Sequence, residues 1–306
     1  MKTFSAALIL VAISACDGPG NVEPSPSPPT SDAPCQVWGD PHSDSTVADG
    51  SISEISGIAV SNKNPGIIWV HEDSGSGPVL TAIDRSGLTI TTLTLDGATS
   101  ADWEDMAIGI CPPEAGAGDC LFIGDVGDNG NNRTDPTLLI VAEPDLEAPA
   151  ATLNATPLHY PFTYPDGPAD CEALAVLPNG MPLLLTKRFD NISVPHSFAE
   201  LTPDVPVELI AHQEFSTGQS GLFSAVTAAD LWQQGTRLLV RTYAELFEYE
   251  LPNADPAAMD PSSALRIQTA LEIQGEAVAY DPLLRGIWHI AEGSEPNMNF
   301  IPCIAP

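Results

Sequence analysis

"ADWEDMAIG" (Ala101–Gly109), "ADCEALAVL" (Ala169–Leu177) and "QGEAVAYDP" (Gln274–Pro282) share one design: an acidic start, then a run that alternates small and branched apolar residues. Period-two alternation is the signature of a β-strand. Each run is followed by a turn and a second apolar run, as in "CEALAVLPNGMPLLLTKR" (Cys171–Arg188) and "GEAVAYDPLLRGIWHIAEG" (Gly275–Gly293). Two more segments fit the pattern, "SEISGIAVSNKNPGIIWVHEDSG" (Ser53–Gly75) and the more divergent "VTAADLWQQGTRLLVRTY" (Val226–Tyr243). The repeated alanines are aligned at Ala59, Ala107, Ala175, Ala229 and Ala279, roughly 50 residues apart.

The turns "NPG" (Asn64–Gly66), "PNG" (Pro178–Gly180) and "QQG" (Gln233–Gly235) stand where paired strands must reverse. Further strand-like runs follow each pair, among them "VLTAID", "TITTLTL", "LLIVAE", "LHYPFTY" and "LFEYEL". Four strands per repeat at this period is the pattern of a propeller blade. The expected fold is therefore all-β: one five-bladed β-propeller with four strands per blade. Six blades are the alternative, because the spacer between the second and third repeats is long. The fifth repeat runs out near Cys303, so the stretch after Cys35 is expected to add the missing outer strand and close the ring.

The 306 residues carry a formal net charge of −31 with only ten Lys and Arg, which excludes ordinary nucleic-acid binding. Thirty Pro and 24 Gly disfavour long helices. At the N-terminus, Lys2 precedes a short apolar core, Ala6–Ala12, too short to span a membrane. The ending Ile13–Cys16 resembles a bacterial lipobox. By that resemblance residues 1–15 are a signal peptide, and Cys16 is lipidated and anchors the chain in the bilayer at the cell envelope, facing the periplasm or exterior. Residues 16–44 then form the anchor and a Pro/Ser-rich tether, and residues 45–306 the propeller. At about 3.1 Å per residue the tether reaches about 50 Å.

The other five cysteines belong to an oxidising compartment. Cys111 and Cys120 flank a small Pro/Gly/Ala loop and are expected to pair. Cys35 and Cys303, at opposite ends of the folded region, would fasten the closure, leaving Cys171 reduced.

"HEDSG", "DWEDMAIG", "GDVGDN", "CEALAV" and "VRTY", in that order, resemble a family of secreted bacterial β-propeller lipoproteins over about residues 45–295. The resemblance implies the fold and assigns no activity.

In a propeller the innermost strand of each blade begins beside the end of the second strand. Glu54, Glu104, Glu172 and Glu276 are thus expected on the same rim as Glu72, Asp73, Asp125, Asp128 and Glu292, with Lys187, Arg188 and Arg241 opposite. His71 and His289 occupy similar places. Glu104 and Glu172 are candidate catalytic groups. Glu72, Glu276, Glu292, Lys187, Arg188 and Arg241 are candidate ligand contacts. Asp125, Asp128 and Asn129, on the glycine loop "GDVGDNGNN", are candidate calcium ligands, because hard cations take oxygen donors. That loop imitates the start of an EF-hand but lacks the closing glutamate. No nucleophile elbow, zinc-protease helix or phosphate loop is present. Two functions follow: a tethered binding or scaffold module taking a protein, glycan or anionic small molecule at the rim, or a calcium-dependent hydrolase of an anionic, phosphoester-like substrate.

Overall fold

The computed structural model describes residues 34–305, apart from 74, 219, 220 and 273. The expected signal peptide, Cys16 and most of the expected tether lie outside the described residues. Five mainly antiparallel sheets form a closed ring of blades, beside one small two-stranded sheet, and the blades' innermost strands contact one another in the order one, two, three, four, five and back to one. Those strands are Ile55–Val60, Trp103–Ile110, Cys171–Val176, Val226–Leu231 and Gly275–Asp281. Among the described residues the only helical pieces are four three-residue turns.

Five hydrophobic clusters lie one at each blade interface. The alternation seen in the sequence divides each strand between two of them. Leu183 and Leu185 pack toward blade four, whereas Leu184 packs toward blade two. Both faces of every inner sheet are therefore covered, which is why these strands read as nearly continuous apolar runs. The hairpin glycines Gly66, Gly180 and Gly235 all take positive φ, as their turns require.

Five blades, not six, is the outcome, and the long spacer is used differently. Leu158–Thr163 is the fourth strand of blade two, and Thr152–Ala155 pairs in parallel with Thr89–Leu95 as a fifth strand of blade one. Val207–Glu208 likewise adds a parallel fifth strand to blade two. Blades one and two thus exceed the expected four strands because each captures a passing connection on its outer edge.

Blade five closes as expected, in two pieces. His42–Thr46 and Val37–Trp38 both pair with the third strand, Asn297–Ala305. Cys35 is bonded to Cys303 and Cys111 to Cys120, while Cys171 is a buried free thiol. Burial pushes the Cys171 thiol up to about 12, so it is unreactive. The two disulfides mark a protein that folds in an oxidising, extracytoplasmic compartment.

Strand register corrects one alignment. Opposite the second-strand residues Trp69, Phe122, Leu183, Leu239 and Trp288 stand Ala59, Ala107, Ala175, Asp230 and Ala279. The fourth repeat carries Asp230, not Ala229, at the shared alanine position.

Candidate functional site: the acidic mouth of the channel

Every innermost strand has a β-bulge near its first residue. A bulge adds one residue to one strand and re-aims its side chain. The bulged positions are Ser56, Glu104, Thr227, Glu172 and Glu276 on blades one, two, four, three and five. The recurrent glutamates are thus the residues turned toward the axis at one mouth. Glu54 is out of this register by two residues; it corresponds to Asp102 and Asp170, and it is exposed.

A second ring follows the ends of the second strands. The amides of Asp73, Val126, Lys187 and Glu292 donate to Glu54, Asp102, Asp170 and Gln274, and Tyr243 holds the same place in blade four. Three of the five members, Asp73, Lys187 and Glu292, are charged.

Just below, the channel is plugged. An innermost strand has no partner on its axial edge, so its inward N–H groups need acceptors. Asp105, fully buried, supplies them. One oxygen accepts from Met106 N at 2.8 Å, and the other from Leu174 N at 2.8 Å and Ala229 N at 2.9 Å. Burial pushes its carboxyl well up, and those three hydrogen bonds oppose the shift. One level lower, Asp230 accepts from Leu231 N and Tyr280 N, at 2.7 Å each. Beyond it lies a cavity of about 230 Å³ at the opposite mouth.

At the acidic mouth, ligand oxygens of Asp73, Asp102 and Glu104 lie within 4.8 Å of one another. Two oxygens on one Ca²⁺, at about 2.3–2.6 Å each, are separated by no more than about 5 Å, so this spacing fits a shared cation. Glu104 is 5% exposed and makes no hydrogen bond among the described residues. Burial, then Glu172, Asp73 and Asp102, push its carboxyl well up. Asp102 is raised by burial and by Asp73, with Arg133 opposing. Gly127 makes this crowding sterically feasible: a Cβ there would stand 2.1 Å from Glu104 Oε1 and 2.6 Å from Asp102 Oδ2.

Glu172, Glu276 and Glu292 complete the acidic wall, all with raised carboxyls. Glu172 is raised by burial against the opposing effect of Lys187, whose ammonium contacts its Oε1 and stays charged. Glu276 is pushed up to about 9 by burial and by Glu172. Glu292 is raised by burial and Asp73, and accepts a hydrogen bond from Gln274 Nε2 at 2.7 Å.

Other expected site residues are placed elsewhere or already occupied. Arg241 is 1% exposed and turns between blades four and five, where it pairs with Glu272. Glu272 also meets His289 Nδ1 at 2.9 Å and Asn299 Nδ2 at 2.7 Å; burial would raise it, but Arg241 and His289 hold it at about 2. Arg188 reaches outward to Asp190. Glu72 caps backbone, accepting from Ser53 N at 2.9 Å. His71 is buried against Trp103, their ring centroids 5.5 Å apart, with Nδ1 beside Glu72 O.

The glycine loop is not where the carboxylates cluster. Asp125 pairs with Arg133 at 2.7 Å and accepts from Asp102 N at 3.0 Å. Asp128 accepts from Asn132 N at 3.0 Å and Arg133 N at 2.7 Å, and Asn129 is exposed. These acidic groups hold the loop's own backbone and Arg133. The cation-sized cluster is formed instead by Asp102, Glu104 and Asp73. A signal for Asp102 was present in the shared "AD" that precedes both "WE" and "CE".

No protein-family model and no curated protein matches the chain. Among solved structures, a similar chain is the PQQ-bound form of aldose sugar dehydrogenase from Streptomyces coelicolor, at 12% identity and a TM-score of 0.48. The match covers 88% of this chain and 99% of that one. The count and order of blades rest on the strand pairing described above.

Proposed function

We propose that the protein is an envelope-anchored binding propeller whose acidic mouth captures a hard divalent cation, calcium, on Asp73, Asp102 and Glu104. The observation that carries this reading is the buried Glu104 carboxylate. It has no hydrogen-bond donor among the described residues, yet it is held within 4.8 Å of two other carboxylates. Like charges brought this close disfavour ionisation unless a cation offsets them. All-oxygen donors select calcium or magnesium over softer metals, and carboxylates from two blades form the kind of adaptable cage calcium accepts. The anchor is Cys16, proposed on the Ile13–Cys16 ending.

The hydrolase reading has less support. An anionic substrate needs cations, and Lys187, Arg188 and Arg241 are each paired with a carboxylate. What favours it is the set of raised carboxyls beside the cation cluster, since perturbed groups gather at catalytic sites.

The test is thermal unfolding with calcium and with chelator. A ligand that binds only the folded state stabilises it by about 2.7 kcal/mol at a hundredfold excess over Kd. Calcium should therefore raise the Tm of the wild type by several degrees, and Asp102→Asn should remove most of that rise. An unchanged Tm in the wild type refutes the calcium site.

A further inference from the structure

Glu276 is a second largely buried carboxylate, open only at the mouth, to which no group of the described molecule donates a hydrogen bond. It is 5% exposed, occupies the bulge of blade five, and receives no hydrogen bond among the described residues. Burying an unpaired carboxyl is costly. Two cations stand close enough to act on its charge, Lys187 and Arg241. Both are committed, Lys187 to Glu172 and Arg241 to Glu272.

The mouth already contains a worked example of what such a carboxylate can hold. Lys187 brings an alkylammonium onto Glu172, with Nζ 5.1 Å from the centroid of the Tyr243 ring. Tyr243 is half-buried and borders blade five, where its carbonyl accepts from Gly275 N at 3.1 Å, one residue before Glu276. Glu292 follows the second strand of the same blade. Blades four and five thus place an aromatic ring, which already receives Lys187, beside two carboxylates, and among the described residues no ammonium bonds Glu276 or Glu292. From this juxtaposition we infer that Glu276, Glu292 and Tyr243 form a second subsite that binds the primary alkylammonium group of a ligand. An ammonium offers three donors, enough to serve both carboxylates, and an aromatic face attracts an organic cation. The surplus of carboxylates over cations at this mouth repels an anion. The inference rests on reading the mouth as a ligand site but is independent of calcium.

Isothermal titration of the folded protein with n-butylammonium, at physiological ionic strength and about pH 9.5, where Glu276 is ionised and the amine still charged, tests the subsite. Glu276→Gln should weaken binding about tenfold or more, the usual scale for a lost charge-assisted hydrogen bond. Tyr243→Leu should weaken it about threefold or more, as expected for a cation–aromatic contact. Glu208→Gln removes one exposed charge on the outer edge of blade two and should leave binding unchanged. Tighter binding of Nα-acetyl-lysine amide than of butylammonium would support the subsite and assign the ligand to a peptide lysine; the reverse order would support it with a free amine. Equal binding to wild type and Glu276→Gln overturns the subsite, as does equal weakening by Glu208→Gln, which would indicate diffuse attraction to an acidic protein. Propionate binding as well as butylammonium also overturns it. Circular dichroism confirms that each variant is folded, and Tyr243→Leu keeps the test open if Glu276→Gln is not. Loss of the calcium effect with amine binding intact separates failure of the cation site from failure of this one.

Discussion

Asp105 and Glu104 are sequence neighbours with opposite fates. Both are buried acids on one strand, but Asp105 accepts three backbone N–H groups and Glu104 accepts none. Neighbouring blades place Gly57, Ala173, Ala228 and Ala277 where blade two has Asp105, so the ring holds a single carboxylate at that level. Asp105→Ala should leave three buried N–H groups without an acceptor, each costing about 1–3 kcal/mol. The expected loss is about 3 kcal/mol or more in urea unfolding, and a change under 1 kcal/mol would show that the plug is not structural. Glu104→Gln should not destabilise in the same measurement without calcium, because it removes no hydrogen bond, and at neutral pH it should stabilise the protein, because burial and neighbouring carboxylates disfavour the ionised acid. Sequence reading found both acids but could not separate them: their roles depend on which blade lies across the channel, and no local pattern encodes that.

At the scale of strands and loops, the period-two alternation and the turn glycines were legible because they depend on neighbours within a few residues. The blade count was legible from spacing. The bulges were not, since they depend on register between paired strands, and this is why Ala229 and Glu54 were aligned with the wrong positions. The loop after Asp119–Asp125 was read as a metal loop from its oxygen donors, but its carboxylates spend themselves on Asn132 N, Arg133 N and the Arg133 side chain. Its contribution to the mouth is instead the absent side chain of Gly127. Gly127→Ala places a methyl 2.1 Å from Glu104 Oε1 in a backbone conformation open to alanine. The methyl must displace Glu104 or Asp102. The variant should lose the calcium-induced rise in Tm while keeping most of its stability without calcium. A wild-type calcium response would show that the Asp102–Glu104 approach is not needed for binding.

Closure and charge are properties of the whole ring. Cys35–Cys303 spans 268 residues and Cys111–Cys120 spans nine. In the chain-entropy account a disulfide stabilises by constraining the unfolded chain, typically by about 2–4 kcal/mol and more for longer loops. Replacing Cys35 and Cys303 together by serine should therefore cost more than replacing Cys111 and Cys120, in denaturant unfolding of each pair. The reverse order would show that strand pairing alone closes the ring.

The titrating groups of the ring set its response to pH. Four histidines, His71, His196, His212 and His289, are lowered by burial from 6.5. The folded state therefore binds fewer protons at these sites than the unfolded chain does, and they favour folding more as pH rises toward 6.5. Above that value their contribution is complete. The raised carboxyls work in the opposite sense. Glu104, Glu172 and Glu276 hold protons in the folded state that an unfolded glutamate has already released above about 4.5. Where the folded state binds more protons, stability falls as pH rises, until the last of these groups ionises; Glu276 does so at about 9. Between pH 6.5 and 9 the calcium-free protein should thus lose stability steadily, with one such carboxyl contributing up to about 1.4 kcal/mol per pH unit. Glu276→Gln mimics the protonated acid and should make this slope shallower. Calcium competes with protons for Glu104, so its stabilising effect should grow over the same range. Tm measured across that interval, with chelator and with calcium, checks both signs. A stability that rises with pH in chelator, or a calcium effect that shrinks, would mean that the mouth is ionised and satisfied without a cation.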